Sequence, residues 1–156
     1  MTRATVGFDN SRVRLHHTKT KGDVALLHAQ LDLAEKGFGI LLPITEHEAF
    51  DLVAYRGRVF MRVQVKYRRA VRGRLEVRFA TFWADRAGTH KAKIDKDGVD
   101  LYCIYCPETR RCYYVDPKAH RESITMRIEE TRNGQKRGVH DANDFLEIPW
   151  PLSSAG

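Results

Sequence analysis

The sequence predicts a single α/β domain built on a mixed β-sheet. Three observations support this fold class: an amphipathic segment that starts near Thr20, a β-hairpin pattern from Phe50 to Tyr67, and further strand-like segments after it. The chain has 156 residues, a length typical of one domain. We expect a flexible N-terminal arm at residues 1–17, a folded domain at residues 18–128 and a C-terminal extension at residues 129–156.

The first elements are predicted to be a helix and a short strand. Thr20 and Asp23 fit a capping box, which places the helix start near Thr20. Gly37 is a natural stop for the helix, and Phe38–Leu42 is a candidate for a buried strand. The apolar face of the helix is expected to consist of Val24, Leu27, Leu31 and Ala34.

The hairpin is predicted from two apolar runs around a glycine turn. The segments Phe50–Tyr55 and Val59–Tyr67 are rich in β-branched and aromatic residues and flank Gly57. Gln64 and Lys66 are two residues apart, so their side chains share one face of the strand. Because Asp51 starts the partner strand, we expect the hairpin to bring an acid, an amide and an ammonium group together.

The rest of the chain is predicted to contain further strands joined by turns. Residues 82–90 are expected to form an irregular loop, with Trp83 as a packing anchor. A basic loop is expected at residues 132–137, and the sequence does not decide whether the tail after it packs. The predicted strands are Leu75–Thr81, Val99–Cys106, Cys112–Val115 and Ile124–Ile128.

Two features of composition bear on function. The net charge of +7 favours a polyanionic partner, and nucleic acid is the commonest one. The N-terminus lacks the apolar core of a signal peptide and no apolar run approaches the ~20 residues that span a bilayer, so we expect a cytoplasmic protein.

The cysteines predict neither a disulfide scaffold nor a zinc site. Their number, three, is odd and small. Cys103 and Cys106 have Cys-x2-Cys spacing but no second pair, and residues three apart on a strand face opposite sides. We expect buried thiols, with Cys106 and Cys112 as candidate cross-strand neighbours.

Basic residues are concentrated around the hairpin. The segment from Arg56 to Arg78 contains nine basic residues and a single acid, Glu76. Such a run often forms a solvated surface, but like charges repel unless a polyanion neutralises them. We expect a phosphate-binding surface here, with the DNA-contacting residues Arg68, Arg69, Arg72 and Arg74.

The polar residues of the hairpin suit a metal-dependent phosphodiesterase. Phosphodiester hydrolysis needs an activated water and neutralisation of charge at phosphorus, which Mg²⁺ supplies when oxygen ligands hold it. Asp51, the Gln64 amide oxygen and the Val65 carbonyl are candidate metal ligands, and Lys66 is a candidate to orient or deprotonate the water. The alternative is structural: Asp51 caps a turn, and Gln64 and Lys66 face water.

The same residues resemble a known nuclease pattern. Asp51, followed thirteen residues later by Gln64-Val65-Lys66, is similar to the PD-(D/E)xK motif. The run FDLVAYRGRVFMRVQVKYR and the later segment IYC…CYYVDP are most similar to the group I intron-associated PD-(D/E)xK endonucleases, of the homing type. Features near Lys21-Gly22, Gly37-Phe38 and Leu42-Pro43 also resemble archaeal Holliday-junction resolvases.

The resemblance implies a restriction-endonuclease-like fold, with a mixed sheet flanked by helices. It also implies Mg²⁺-dependent cleavage of double-stranded DNA and a homo-oligomer, either a dimer or a tetramer. By position, Asp51 is the metal-binding aspartate, Gln64 replaces the second acid, and Lys66 is the catalytic lysine.

Two departures from the family pattern leave alternatives open. Phe50 stands where the family has proline, and Leu26 stands where resolvase-like members have a glutamate. Asp23, one turn away, is a candidate metal ligand in its place. The leading hypothesis is the intron-associated endonuclease; the alternatives are a junction resolvase and a non-catalytic DNA-binding module.

Overall fold

A computed structural model describes residues 17–93, 96–129 and 140–149. Most of the expected arm, the basic loop at 132–137 and Trp150 lie outside this part. One helix, α1, spans His17–Glu35, and short 3₁₀ turns lie at Pro117–Ala119 and Ala142–Phe145. The strands, in chain order from β1 to β10, are Gly39–Leu41, Leu52–Arg56, Val59–Tyr67, Arg74–Arg78, Ala80–Asp85, Gly88–Lys93, Leu101–Cys106, Arg111–Val115, Ser123–Arg127 and His140–Asp141.

The central element is a five-stranded mixed sheet in the order β1-β2-β3-β7-β8. The β3–β7 pair is parallel and the other pairs are antiparallel. A three-stranded sheet has the order β10-β9-β4, and β5 pairs with β6 alone. The predicted mixed sheet with a packed helix is therefore confirmed, as is the antiparallel β2–β3 hairpin.

Helix α1 packs on one face of this sheet through Ala25, Ala29 and Leu33, which follow one another at helical spacing and are buried. The expected apolar face was wrong at three of its four positions, because Leu27 and Leu31 are 65% and 58% exposed and Ala34 is also exposed; Val24 does pack against the core. The small alanines let the helix approach the sheet closely, whereas Leu27 and Leu31 lie on its outer side.

The ends of α1 correct one prediction and confirm another. The capping box was wrong, because Thr20 and Asp23 already lie within the helix. Gly37 ends it with a φ of +82°. The Phe38 N–H donates to the Leu33 carbonyl at 3.0 Å and the Gly37 N–H to the Ala34 carbonyl at 2.9 Å, which is the Schellman motif.

Two apolar cores flank the five-stranded sheet. The first lies between α1 and the sheet and includes Leu33, Met61, Val63 and Leu101. The second lies between the three-stranded sheet and β7–β8, and Ala142 of the tail belongs to it. Among the described residues, the second core contains no residue of β2 or β3. The side chains of β2 and β3 that face away from α1 therefore do not belong to the second core.

Residues 82–90 are not the irregular loop that the sequence predicted. They belong to the β5–β6 hairpin, whose pairs run from Ala80↔Lys93 to Asp85↔Gly88. The Asp85 carboxylate accepts a bond from the Ala87 N–H at 2.7 Å, and Gly88 has a φ of +128°. These two residues supply the turn that closes the hairpin.

The three cysteines are free and buried, as predicted. Cys103 belongs to the first core and Cys106 to the second, so they do face opposite sides of β7. The expected Cys106–Cys112 neighbours were wrong, because Cys112 pairs with Tyr105 in the sheet. No helix in the described ranges is long and apolar enough to cross a membrane.

Candidate active site

The candidate site lies where β2 ends and β3 continues. The β2–β3 pairs run from Arg56↔Val59 to Leu52↔Val63, so β3 extends beyond its partner. Asp51 precedes β2, and its N–H donates to the Val63 carbonyl at 2.9 Å. The end of β3 therefore has backbone groups that β2 does not bind, and the Asp51 side chain lies beside them.

Beyond the end of β2, the Asp51 carboxylate accepts hydrogen bonds from β3 in place of a strand backbone. Its Oδ2 atom accepts bonds from the Val65 N–H at 2.7 Å and from Gln64 Nε2 at 2.5 Å. In an antiparallel ladder the N–H and C=O of one residue point to the same neighbour, so the Val65 carbonyl also faces the space that β2 leaves. The structure thus brings Asp51, Gln64 and Val65 together at one strand end.

Lys66 follows on the same face of β3 as Gln64. Burial lowers the pKa of its ammonium group, the neighbouring Arg68 lowers it further, and Asp51 partly opposes the shift. An ammonium group with a lowered pKa gives up its proton more readily than an exposed lysine. This arrangement suits a residue that moves a proton or neutralises a phosphate.

A family model supports what this geometry indicates. The model of the PD-(D/E)XK endonuclease family matches residues 16–148. The chain belongs to the PD-(D/E)XK endonuclease family. The resemblance seen in the sequence is confirmed at the level of this family. No curated protein matches the sequence significantly.

Solved structures support the fold. A bacterial homing endonuclease, I-Ssp6803I, aligns with a TM-score of 0.67 and 22% identity over 78% of this chain and 86% of that one. The Holliday-junction resolvase Hjc of Archaeoglobus fulgidus aligns with a TM-score of 0.38 and 15% identity over 64% of this chain and 84% of that one. The first likeness confirms the restriction-endonuclease-like fold; the second score is too low to establish a shared fold.

PD-(D/E)XK nucleases generally use divalent metal ions, and the donor atoms at the strand end fit such an ion. The Asp51 carboxylate, the Gln64 amide oxygen and the Val65 carbonyl are all hard oxygen donors, which Mg²⁺ prefers. In this structure Gln64 turns its amide nitrogen, not its oxygen, toward Asp51. The side chain must therefore reorient before both groups can hold one cation.

The other candidate acids are not joined to this group. Asp23 is exposed on α1, and no hydrogen bond or ion pair among the described residues connects it with Asp51. Glu46 and Glu48 are exposed in the loop before β2. No group of three or more acidic, histidine or cysteine side chains in the described ranges is placed to hold a metal. The role of Asp23 as a ligand stays a prediction.

The sequence did not predict the position of Tyr102. This residue is the β7 partner of Gln64, it is fully buried, and its hydroxyl has no hydrogen-bond partner among the described residues. Burial raises the pKa of Tyr102 to about 12, with a further contribution from the negative charge of Asp51. No local signal identifies this neighbour, because β3 and β7 are far apart in the sequence.

A second feature that the sequence did not reveal is the pair formed by Arg62 and Asp100. The Asp100 carboxylate accepts bonds from the Arg62 backbone N–H at 2.8 Å and from two guanidinium nitrogens at 3.0 and 2.9 Å. The Asp100 N–H donates to the Arg62 carbonyl at 2.9 Å. Burial opposes ionisation of Asp100, but the bonds from Arg62 lower its pKa overall. The pair fixes the start of β7 beside β3.

The basic segment follows the site directly along the chain. Val71 and Arg74 exchange backbone bonds of 2.9 and 3.1 Å around a two-residue turn. Arg72 and Gly73 in this turn have positive φ angles of 52° and 71°, as a type I′ turn requires. Arg68 lies close enough to Lys66 for its charge to lower the lysine pKa. The segment therefore carries positive charge from the site toward β4.

Some of this charge is neutralised within the protein. Arg62 pairs with Asp100, Arg69 with Glu108, and Arg78 with Glu76. The expectation that only a polyanion relieves the repulsion was therefore incomplete, because acids outside the run also contribute. The bond from Arg69 and the N–H of Ala70 lower the pKa of Glu108 to about 2. Glu108 thus anchors the segment that carries the predicted DNA-contacting arginines.

Proposed function

We propose that this chain is a Mg²⁺-dependent endonuclease that hydrolyses phosphodiester bonds in double-stranded DNA, of the intron-associated homing type. The observation that carries the proposal is the convergence of Asp51, Gln64, Val65 and Lys66 at the end of β3. Membership of the PD-(D/E)XK endonuclease family supports the nuclease activity.

Each residue has a distinct task in this proposal. Asp51, the Gln64 amide oxygen and the Val65 carbonyl hold the cation. The bound ion supplies charge neutralisation at phosphorus and an acidified water. Lys66 accepts or positions the proton of the attacking water, and its lowered pKa suits this task because the neutral amine is the competent form.

The DNA backbone is proposed to lie along the basic segment. Arg68, Arg69, Arg72 and Arg74 are assigned to phosphate contacts, since guanidinium groups bind phosphate oxygens strongly. Arg69 must exchange its exposed ion pair with Glu108 for a phosphate, which is a small cost at the surface. These residues follow Lys66 directly, so phosphates bound there continue toward the site.

Plasmid cleavage tests the proposal. We expect the protein to nick and linearise supercoiled plasmid in Mg²⁺ and to be inactive in EDTA. Asp51→Asn should remove cleavage, because it replaces the only carboxylate among the proposed ligands at the strand end. Asp144→Asn is the matched control, since that carboxylate is exposed in the tail, and it should cleave normally.

The same assay separates the enzyme from the alternatives. A protein that shifts DNA in a gel but never cleaves with any divalent cation is a non-catalytic DNA-binding module; the small number of acids at the site favours this second candidate. A four-way junction tested beside a linear duplex of the same sequence distinguishes a resolvase from a duplex endonuclease. Preference for the junction would contradict the homing type.

A second acidic ligand, beside Asp51, is proposed from Asp23. If this residue completes the site, Asp23→Ala should reduce cleavage as much as Asp51→Asn does. Normal cleavage by the variant would exclude it, and Glu46 and Glu48 are then the next acids to replace with alanine.

We also propose a homo-oligomer, either a dimer or a tetramer. Helix α1 and edge strand β1 contact each other. Large apolar side chains are exposed on the outer side of α1 and at or just after β1: Leu27, Leu31, Leu41, Leu42 and Ile44. Light scattering should give a multiple of 18.0 kDa, and the double variant Leu27→Glu/Leu31→Glu should be monomeric. A monomeric wild type would contradict this proposal.

We also propose a domain division and a cellular location. We retain an arm at residues 1–17, a nuclease domain at residues 18–128 and an extension at residues 129–156, in a cytoplasmic protein. Limited proteolysis tests the division, because cleavage within residues 18–128 of the native protein would contradict it.

A further inference from the structure

The Tyr102 hydroxyl stands out among the buried polar groups. Its side chain is fully buried, and its ring packs edge-on against Phe79 with the ring centroids 5.1 Å apart. It is the one buried side-chain polar atom in the described ranges that has no hydrogen-bond partner. A phenylalanine would fill the same space without leaving a hydroxyl unsatisfied. The presence of tyrosine therefore calls for a partner that this conformation does not provide.

The sheet register places a polar residue beside Tyr102. Gln64 on β3 pairs with Tyr102 on β7, whereas Lys66 pairs with Ile104. Paired residues of adjacent strands have side chains on the same face. Gln64 thus lies between Asp51, which precedes β2 and accepts its hydrogen bond, and Tyr102 on β7.

The amide of Gln64 cannot serve its proposed role in its present orientation. Its nitrogen donates to Asp51 Oδ2 at 2.5 Å, and an amide nitrogen is not a metal ligand. For Oε1 to share a cation with Asp51, the amide must rotate, and Nε2 then loses its bond to Asp51 Oδ2. A partly buried amide donor needs another acceptor, and Tyr102 is its partner on β7.

We propose that Tyr102 is a positioning residue whose hydroxyl oxygen accepts a hydrogen bond from Gln64 Nε2 and holds Oε1 toward the cation site. The inference rests on the proposed function, in which Gln64 is a metal ligand. It explains why a hydroxyl without a partner lies in an apolar core beside the site. The group stays protonated at neutral pH, so it is a neutral partner for the amide.

A double-mutant cycle on cation affinity tests the inference without relying on cleavage. Mg²⁺ affinity is measured from the rise in Tm with Mg²⁺ concentration at constant ionic strength. Tyr102→Phe should weaken the affinity about fivefold, the effect of one ordinary hydrogen bond. In the Gln64→Glu background the same change should have no effect, because a carboxylate has two equivalent oxygens and needs no orientation.

The matched control is Tyr113→Phe. Tyr113 is buried in the same core, but its hydroxyl already has a partner, Thr109, at 3.0 Å. This variant should have a lower Tm without metal and an unchanged Mg²⁺ affinity. Tyr102→Phe should show the opposite behaviour, with a metal-free Tm equal to or above that of wild type and a weaker affinity.

The outcomes separate this inference from the proposed function. Equal Mg²⁺ affinity in wild type and Tyr102→Phe overturns the role of Tyr102 and leaves the nuclease proposal intact. An equal loss in both backgrounds also overturns it, because the hydroxyl then acts on something other than the amide. A wild type whose Tm does not respond to any divalent cation contradicts both proposals.

Discussion

The five-stranded sheet presents an apolar face to α1 and a largely polar face, at β2 and β3, to the candidate site. The first, which we call the helix face, includes Ala54, Met61 and Val63. The second, the site face, carries Asp51, Gln64 and Lys66. Both faces are formed by the same two strands, because successive side chains of a strand point to opposite sides.

Within one hairpin, the residues that stabilise the fold and the residues proposed for catalysis therefore lie on opposite faces. Residues on the helix face contribute buried apolar area, and their loss weakens the fold. Residues on the site face are only partly buried, and Lys66 is held where burial disfavours its charge. We therefore expect substitutions on the site face to change activity without a corresponding loss of stability.

The largest expected effect is on the site face. Lys66→Met should lower the rate of plasmid cleavage by about 10²–10⁴-fold, the contribution of a positioned acid–base group. Lys19→Met is the control, since Lys19 is exposed on α1, and it should cleave normally. A Lys66→Met variant that retains full activity would remove this lysine from the mechanism.

The stability of the same variant distinguishes the two faces. The pKa of Lys66 is lower in the folded chain than its ordinary value, so its protonated form destabilises the fold. Wild-type stability should thus rise as pH increases from the folded pKa of Lys66 to the ordinary value of 10.5, and Lys66→Met should lack this rise. At neutral pH the variant should be at least as stable as wild type, as measured by Tm.

The helix face should show the reverse. Leu33→Ala should lower the free energy of unfolding by about 2–5 kcal/mol, because it leaves a cavity between α1 and the sheet. Leu31→Ala makes the same chemical change at a side chain that is 58% exposed, against 0% for Leu33, and should cost less than about 1 kcal/mol. Similar losses in urea denaturation of the two variants would contradict the observed orientation of α1.

The site face was predictable from sequence because its main contacts are local. The boundaries of β3 at Val59 and Tyr67 follow directly from the apolar run and its glycine turn. Once the hairpin is formed, the spacing of Asp51 and Gln64 places them together. Period-two alternation then assigns Lys66 to the same face without knowledge of the rest of the fold.

The remaining features depend on contacts that no local pattern contains. The parallel pairing of β3 with β7 joins distant segments, so Tyr102 was not predicted as a neighbour of Gln64. The orientation of α1 was mispredicted, because burying two alanines allows closer packing than burying Leu27 and Leu31. The β5–β6 hairpin was missed because its second strand, Gly88–Lys93, reads Gly-Thr-His-Lys-Ala-Lys and lacks an apolar strand pattern.

The basic segment next to the site face should show a moderate effect on binding. Replacing the four proposed phosphate contacts with alanine should flatten the slope of log affinity against log salt by about 0.9 for each lost contact. Four exposed arginines elsewhere, Arg86, Arg110, Arg111 and Arg121, provide a control with the same loss of net charge. Equal slopes for the two quadruple variants would place the DNA surface elsewhere. The four replaced residues are Arg68, Arg69, Arg72 and Arg74.

The smallest effect concerns the acid that anchors this segment. The folded pKa of Glu108 is about 2, below its ordinary value of 4.5, because of the bonds from Arg69 and Ala70. A carboxyl group with a depressed pKa stabilises the fold above its unfolded pKa and loses this contribution as pH falls toward the folded value. Because the pair is largely exposed, the Tm of Glu108→Gln should be lower by at most about 3 °C at pH 6, and the difference should shrink between pH 5 and pH 2.

The same variant also tests whether Arg69 is shared between the protein and DNA. Without the carboxylate, Arg69 no longer exchanges an ion pair for a phosphate, so the affinity for duplex DNA should increase at low salt. The added double variant Glu108→Gln/Arg69→Ala should lose this gain, since the arginine that benefits is gone. A gain that persists without Arg69 would instead reflect the net charge of the protein, and it would assign Glu108 only to the anchoring of residues 68–70.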